Sequence, residues 1–364
     1  MIKNVIVAVV FLFTFLFAQA THNRAGEITY KHISGYTYKI TIVTYTYSKS
    51  SANHYRDKLT IQWGDGSESE IPRIKEPELL PDDFQINIYE ATHTYPGPGT
   101  FTIVMEDPNR NEGVKNIFDS VNIPFTIKTT LKIDPILGVN NTPVLLNIPI
   151  DKAAIRQKFI HNPAAYDSDG DSLSYEITQC LGEDGKVVPG YEYPKASNKI
   201  YVDERTGDLV WDTPIETGSY NVAMNIYEWR KGIRISKIIR DMQIEVYETE
   251  NRNPTVTAPD KVCVRAKDTL QFLVEAYDVD GDIIQLEASG GPLTLKPNAA
   301  IFTKTTQQQP ITTSFTWIPP CTAIRKQPYL MVFKVSDRNK DISLTNETYT
   351  NISVIGHPPL QIQA

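Results

Sequence analysis

The stretch Gly35-Tyr-Thr-Tyr-Lys-Ile-Thr-Ile-Val-Thr-Tyr-Thr-Tyr47 decides the fold class. Tyr38, Ile40 and Ile42 alternate with Thr37, Lys39 and Thr41. A period of two sends successive side chains to opposite faces of a pleated strand, one apolar and one wet. Tyr, Thr, Ile and Val suit such a half-buried surface. Comparable runs lie at Leu59–Trp63, Thr100–Met105, Val121–Lys128, Tyr220–Tyr227, Ile233–Val246, Leu270–Tyr277, Tyr329–Val335 and Tyr349–Ile355. Gly, Pro, Asn and Asp clusters separate them, and no convincing long helix follows Thr21. Short strands broken by turn signals specify an all-β chain of sandwiches, not α/β units. Composition excludes several other classes. Three Cys and six His in 364 residues fit neither a disulfide-dense scaffold nor a His-rich metal enzyme. Apolar residues at 41% exclude wholesale disorder, and a net charge of -7 lacks the basic bias of a nucleic-acid binder.

The chain repeats itself. Ala165-Tyr-Asp-Ser-Asp-Gly-Asp171 matches Ala276-Tyr-Asp-Val-Asp-Gly-Asp282 at an offset of 111 residues. Leu209-Val-Trp211 matches Phe315-Thr-Trp317 at 106, and Ser219-Tyr220 matches Pro328-Tyr329 at 109. Three ordered landmarks at nearly one spacing indicate two homologous units, each the length of one immunoglobulin-like sandwich. Asn140-Asn-Thr-Pro143 and Asn251-Arg-Asn-Pro254 read as the linkers. Three domains are expected, over 21–132, 133–249 and 250–356, with a tail at 357–364. Trp211 and Trp317 occupy equivalent positions and read as core anchors.

Met1 to Ala20 has a basic Lys3, an apolar run from Val5 to Phe17 and a small-x-small Ala18-Gln-Ala20 site. This is the pattern of a secretory signal peptide, so the mature chain is expected to be exported. The run is short for a spanning helix, and no second one follows, so no integral membrane segment is expected in the mature chain. Outside the cytoplasm cysteines tend to pair, and Cys263 and Cys321 are the expected disulfide. Cys180 is left over and reads as a small buried apolar residue.

The two D-x-D-G-D motifs are the sharpest chemical signal. Asp167, Asp169 and Asp171, and again Asp278, Asp280 and Asp282, crowd carboxylates that repel unless solvated, hydrogen-bonded or bridged. Hard oxygen donors of this kind suit Ca²⁺, although the loop lacks EF-hand spacing. The alternative is an Asp-Gly turn whose side chains cap backbone amides. Trp229 and Arg230 sit at an expected hairpin tip, where they could contact a protein partner or equally form a cation–π-dressed turn. His22, His32, His54, His93, His161 and His357 are scattered, without metal-ligand spacing. H-E-x-x-H, G-x-S-x-G and phosphate-binding glycine loops are missing, so an enzyme is not expected.

Trp63-Gly-Asp-Gly66, followed by the stretch from Ala91-Thr-His-Thr-Tyr95 to Phe101, resembles the polycystic-kidney-disease (PKD) type of β-sandwich. A wider likeness runs through Thr21-His-Asn-Arg-Ala-Gly-Glu-Ile-Thr-Tyr30, Glu228-Trp-Arg-Lys-Gly232, Arg240-Asp-Met-Gln-Ile244 and Phe315-Thr-Trp-Ile-Pro-Pro-Cys321. These resemble large exported adhesin-like proteins of Bacteroidota, whose chains usually end in a gliding-motility-associated, type IX secretion sorting domain. The resemblance implies PKD-like, immunoglobulin-like or cadherin-like sandwiches in tandem. It also implies a non-catalytic binding role at the cell envelope, toward a surface protein or a glycan. The sequence ends at Ala364 without room for a sorting domain, which leaves periplasm and cell surface both open. Asp119-Ser-Val121, Asp171-Ser-Leu173 and Asp268-Thr-Leu270 resemble the Bacteroidota O-glycosylation acceptor and mark Ser120, Ser172 and Thr269. Carbohydrate binding and a spacer stiffened by calcium are the alternative roles.

Overall fold

The computed structural model describes residues 23–50, 56–108 and 110–357. The expected signal peptide, His22, His54 and the tail beyond His357 lie outside the described residues. The chain is nearly all β, built as tandem immunoglobulin-like sandwiches. Among the described residues no helix is long and apolar enough to cross a membrane.

The first sandwich contains β1 (Asn23–Ser34), β2 (Thr37–Tyr47), β3 (Lys58–Gln62), β4 (Glu68–Pro72), β5 (Glu78–Leu79), β6 (Phe84–Thr94), β7 (Gly99–Asp107) and β8 (Phe125–Ile133). The period-two stretch is β2, and Tyr38, Ile40 and Ile42 are its buried face. It pairs with β1 on one side and, from Thr37↔Thr94 to Tyr47↔Phe84, with β6 on the other. Strand β8 begins at Phe125, later than the run from Val121 suggests, because Pro124 offers no amide to a ladder.

The Trp63-Gly-Asp-Gly66 turn works as packing. Trp63 stacks on His93 with ring centroids 4.4 Å apart, and Tyr95 donates its hydroxyl to the Trp63 carbonyl. Asp65 accepts from the Ser67 amide and pairs with His93 Nε2 at 2.7 Å. Gly64 has φ 84°, and a Cβ there would meet the Thr102 carbonyl oxygen at 2.5 Å, so only glycine fits.

The second sandwich contains β9 (Val144–Leu145), β10 (Lys152–Ala154), β11 (Phe159–His161), β12 (Ala165–Tyr166), β13 (Ser172–Thr178), β14 (Ile200–Val202), β15 (Leu209–Trp211), β16 (Gly218–Arg230) and β17 (Ile233–Tyr247). Its spine is the β16–β17 hairpin, turned at Lys231 and Gly232 with positive φ at both. One edge of β17 is then shared in sequence. Ser236–Ile238 pair with β8, Met242 and Asp241 with β1, and Glu245–Tyr247 run parallel to β10. The first two sandwiches therefore share one 12-stranded sheet.

Two buried ion pairs lie back to back on this shared strand. Arg240 gives Nε and Nη2 to both carboxylate oxygens of Glu27, at 3.2 and 2.8 Å, and Nη1 to the Asn147 carbonyl. Asp241, its neighbour on the strand, points to the opposite face. There it receives both terminal nitrogens of Arg110, at 3.2 and 2.6 Å, and the Asn221 amide. All four charged side chains are buried.

The third sandwich is β18 (Thr255–Thr257), β19 (Lys261–Arg265), β20 (Leu270–Tyr277), β21 (Ile283–Gly290), β22 (Thr305–Gln308), β23 (Ile311–Trp317), β24 (Tyr329–Asp337) and β25 (Thr345–Ile355). A three-stranded sheet (β18-β20-β23) faces a five-stranded one (β19-β25-β24-β21-β22). Trp317 and Trp211 anchor equivalent cores. Each ring stands edge-on to a tyrosine at 5.1 Å, and each Nε1 donates to a backbone carbonyl.

The expected Cys263–Cys321 disulfide is not formed. Both thiols are free and exposed. Cys263 shares the solvent-facing side of edge strand β19 with Lys261 and Arg265, while Cys321 opens a 3₁₀ turn beyond β23 of the facing sheet. Cys180 is fully buried, and burial pushes its thiol well above the usual range.

The ion pair at Arg240 generates a test. Arg240→Ala strands Glu27 in the interior and is expected to cost roughly 3–5 kcal/mol in urea unfolding. The double variant Glu27→Leu, Arg240→Met should recover most of that loss. A double variant as unstable as Arg240→Ala would contradict the assignment.

Candidate functional site

The two D-x-D-G-D loops do not gather their six carboxylates. Each sits at a separate domain joint and repeats one wiring scheme. In the first, the Asp167 Oδ1 accepts the Asp171 amide at 2.8 Å and closes the loop. Asp169 accepts both the backbone and the side-chain amide of linker Asn141, each at 2.8 Å. Linker Asn140 donates to Glu228 on β16 at 2.9 Å. In the second, Asp278 accepts the Asp280 and Asp282 amides. Asp280 accepts the backbone amide and guanidinium of linker Arg252, and linker Asn251 donates to Asp337 on β24 at 2.8 Å. The turn reading of the motif therefore accounts for its loop geometry, with an addition: the middle Asp clamps the linker.

Arg230 does not project from a tip as a free contact. It turns back over the first joint and holds Asp171 through Nε and Nη2. Its remaining N–H groups reach the Leu137 and Val139 carbonyls at 3.0 and 2.7 Å and Asn140 Oδ1 at 2.9 Å. Trp229 donates its Nε1 to Ser174 Oγ at 2.8 Å. Arg230 is thus committed to the joint, and Trp229 is tied to β13.

The residue that sequence reading missed is Glu228. One oxygen from each of Asp167, Asp171 and Glu228 lies within 4.8 Å of the other two. With both ionised, neither Asp167 Oδ2 nor Glu228 Oε1 has a hydrogen-bond partner, and both atoms are buried. Burial first, and then the charge of Asp167, push the Glu228 carboxyl up to about 10, so it carries a proton at neutral pH. Burial likewise raises Asp167. A shared proton satisfies the pair. A divalent cation would satisfy it too, because hard cations take carboxylate and carbonyl oxygens. The donor set that fits one is Asp167, Asp171 and Glu228 rather than the three Asp of the loop.

Of the modification candidates, Ser120 is buried with its hydroxyl on the Asn111 carbonyl, which closes it to an enzyme in the folded chain. Ser172 is half-buried and donates to the Trp229 carbonyl, while Thr269 is exposed. His93 belongs to the core stack described above.

The sequence matches no family model and no curated protein. Among solved structures, it is similar to the fibronectin(III)-like modules of CbhA from Clostridium thermocellum. That match has 14% identity over 57% of this chain and 92% of that one, with a TM-score of 0.19. It is also similar to an I-band fragment of titin, at 11% identity over 88% of this chain and 92% of that one, with a TM-score of 0.18. Such scores carry no conclusion about the joints or their chemistry.

The Glu228 position sets a pH dependence. Its carboxyl titrates near 4.5 when unfolded and near 10 when folded, so the folded state binds the extra proton between these values. Stability from this group is full below about 4.5 and is lost as pH rises toward 10. Glu228→Gln is therefore expected to melt higher than the native protein at pH about 9 in chelator, and alike at pH about 4. Equal melting temperatures at both would show that Glu228 is not held protonated.

Proposed function

We propose that this chain is an exported, non-catalytic binding protein, adhesin-like or accessory to gliding motility and type IX secretion, that acts as a stiff bar at the cell envelope. One observation carries the reading. Both domain boundaries are closed by buried, side-chain-specific clamps, and the first also by a shared sheet. Chains that work through hinges leave such boundaries loose, since small polar interfaces permit relative motion. Here the fold supports fixed spacing between the surfaces at its two ends. The partner class is an envelope or surface protein, with a glycan as the alternative. Affinity purification of the tagged full chain from native envelopes should enrich motility or secretion components. Recovery of glycan alone, with binding on a glycan array, would favour the carbohydrate-binding reading.

A spacer stiffened by calcium is the second reading, favoured by the unpartnered oxygens of Asp167 and Glu228. The ion would be held by Asp167, Asp171 and Glu228, and it would stiffen the joint rather than catalyse a reaction. Millimolar calcium should then raise the melting temperature by a few degrees in the native protein and leave Glu228→Gln unmoved, by linkage to the folded state. The same melting temperature in calcium and in chelator would remove the metal from this reading and leave the proton.

A further inference from the structure

The seam between the second and third sandwiches buries four ionisable side chains in one group. Asp151 precedes β10, His161 ends β11, and Lys334 and Glu347 face each other across the β24–β25 pair. None is more than 8% exposed. Lys334 Nζ touches Asp151 Oδ1 and lies 3.6 Å from Glu347 Oε1. His161 Nδ1 donates to the other Asp151 oxygen at 2.8 Å. Glu347 is held by the Asn147 side chain at 2.8 Å and the Asn162 amide at 2.7 Å. The Lys334 ammonium already fills the space between the carboxylates, so this group is not a vacant metal site.

We propose that Lys334 and Asp151 condense to an intramolecular amide that staples the third sandwich to the second. The four parts of such a reaction are in place. The amine is fixed against the carboxyl it would attack, which removes most of the entropic barrier of a two-body step. Water is excluded, so the ionised pair loses its solvation advantage over the neutral amine and acid. A proton passes from the Lys334 ammonium to the Asp151 carboxylate, and the free amine attacks Asp151 Cγ. The developing oxyanion forms on Oδ2, where His161 Nδ1–H donates. Glu347 relays a proton from the new C–N nitrogen to the departing Oδ1, which leaves as water. One C–N bond forms, one C–O bond breaks, and no oxidant or cofactor takes part.

The environment supports these roles. Glu347 Oε1 lies 3.6 Å from Lys334 Nζ, within reach of the relay, and burial raises the Glu347 carboxyl, which favours its taking up a proton there. Burial opposes ionisation of Asp151 as well, but Lys334 and His161 outweigh it and hold that carboxyl at about 2. The ground state is therefore a buried ion pair, and condensation replaces two buried charges with one neutral amide.

Denaturation followed by tryptic peptide mass spectrometry of the full chain tests the staple. The expected product is a branched peptide joining residues 133–152 to residues 327–338. It should be lighter by one water, with cleavage blocked at Lys334. Glu347→Gln should fold, by circular dichroism, and give mostly unlinked peptides. Lys334→Arg keeps the charge and should give only unlinked peptides, with a lower melting temperature than the linked native chain. Separate peptides 133–152 and 327–334 from the native protein would overturn the proposal without reference to any variant.

Discussion

Two adjacent residues on one strand, Arg240 and Asp241, constrain most of this molecule. Because a strand alternates its faces, the two charges point into different interiors, one toward Glu27 and one toward Arg110. Burying four charges is expensive in desolvation, and each pair recovers that cost only when its geometry is bidentate and its remaining N–H groups are used. Arg240 meets both conditions and also reaches the Asn147 carbonyl; Arg110 is bidentate and reaches the Leu181 carbonyl, while its buried Nε has no partner. An apolar seam of the same volume would be at least as stable. The ionic one permits a single register, since a slip of one residue along β17 would turn both charges to the wrong faces. Register on β17 then fixes where β8, β1 and β10 attach, and so fixes the first sandwich against the second.

The joints apply the same logic with different chemistry at equivalent positions. The offset of 109 places Glu228 against Asp337 and Arg230 against Asn339. In the first joint the guanidinium of Arg230 neutralises Asp171. In the second, Asn339 donates to Asp282 as a neutral amide, and the cation comes from linker Arg252 onto Asp280. The loop carboxylates of each joint are thus paired with one arginine, supplied from a hairpin in one case and a linker in the other. The two sites are related by descent of the fold yet differ in exposure. Arg230 is largely covered, whereas the Arg252 side chain is 58% exposed and its ion pair is correspondingly weak.

The fold class and the anchors were legible in the residues because they rest on local periodicity and on a repeat. The stretch from Gly35 to Tyr47 alternates as the strand does, and Trp211 and Trp317 sit in the same place in two cores. The contacts that join the domains are not local. Arg240 meets Glu27 across 213 positions, and nothing nearby marks either as buried. Strand β6 hides its apolar face among Gln85, Asn87 and Glu90: Asn87 and Glu90 bond across to β2, and Gln85 donates to Asn87 along the strand. Glu228 lacks a motif of its own, though the repeat that aligns Tyr220 with Tyr329 sets it beside an acidic partner. The cysteine pair failed for a related reason: compartment argues that thiols pair, but only geometry brings two of them together.

The two seams are unequal under tension. The first is a ladder of backbone hydrogen bonds running along β17, which must shear together. Among the described residues the strands of the third sandwich pair only with one another, so the second seam rests on side chains. Tyr166 fits against Gly291 so closely that a Cβ there would meet its ring at 2.2 Å, and Arg325 stacks on Tyr329 while donating to the Asp167 carbonyl. These contacts orient the domains but can be lost one at a time. Under tension along the chain, the second seam is where the structure would yield first. The buried lysine, aspartate and glutamate lie in that seam, where a covalent link would convert the weaker boundary into the stronger one.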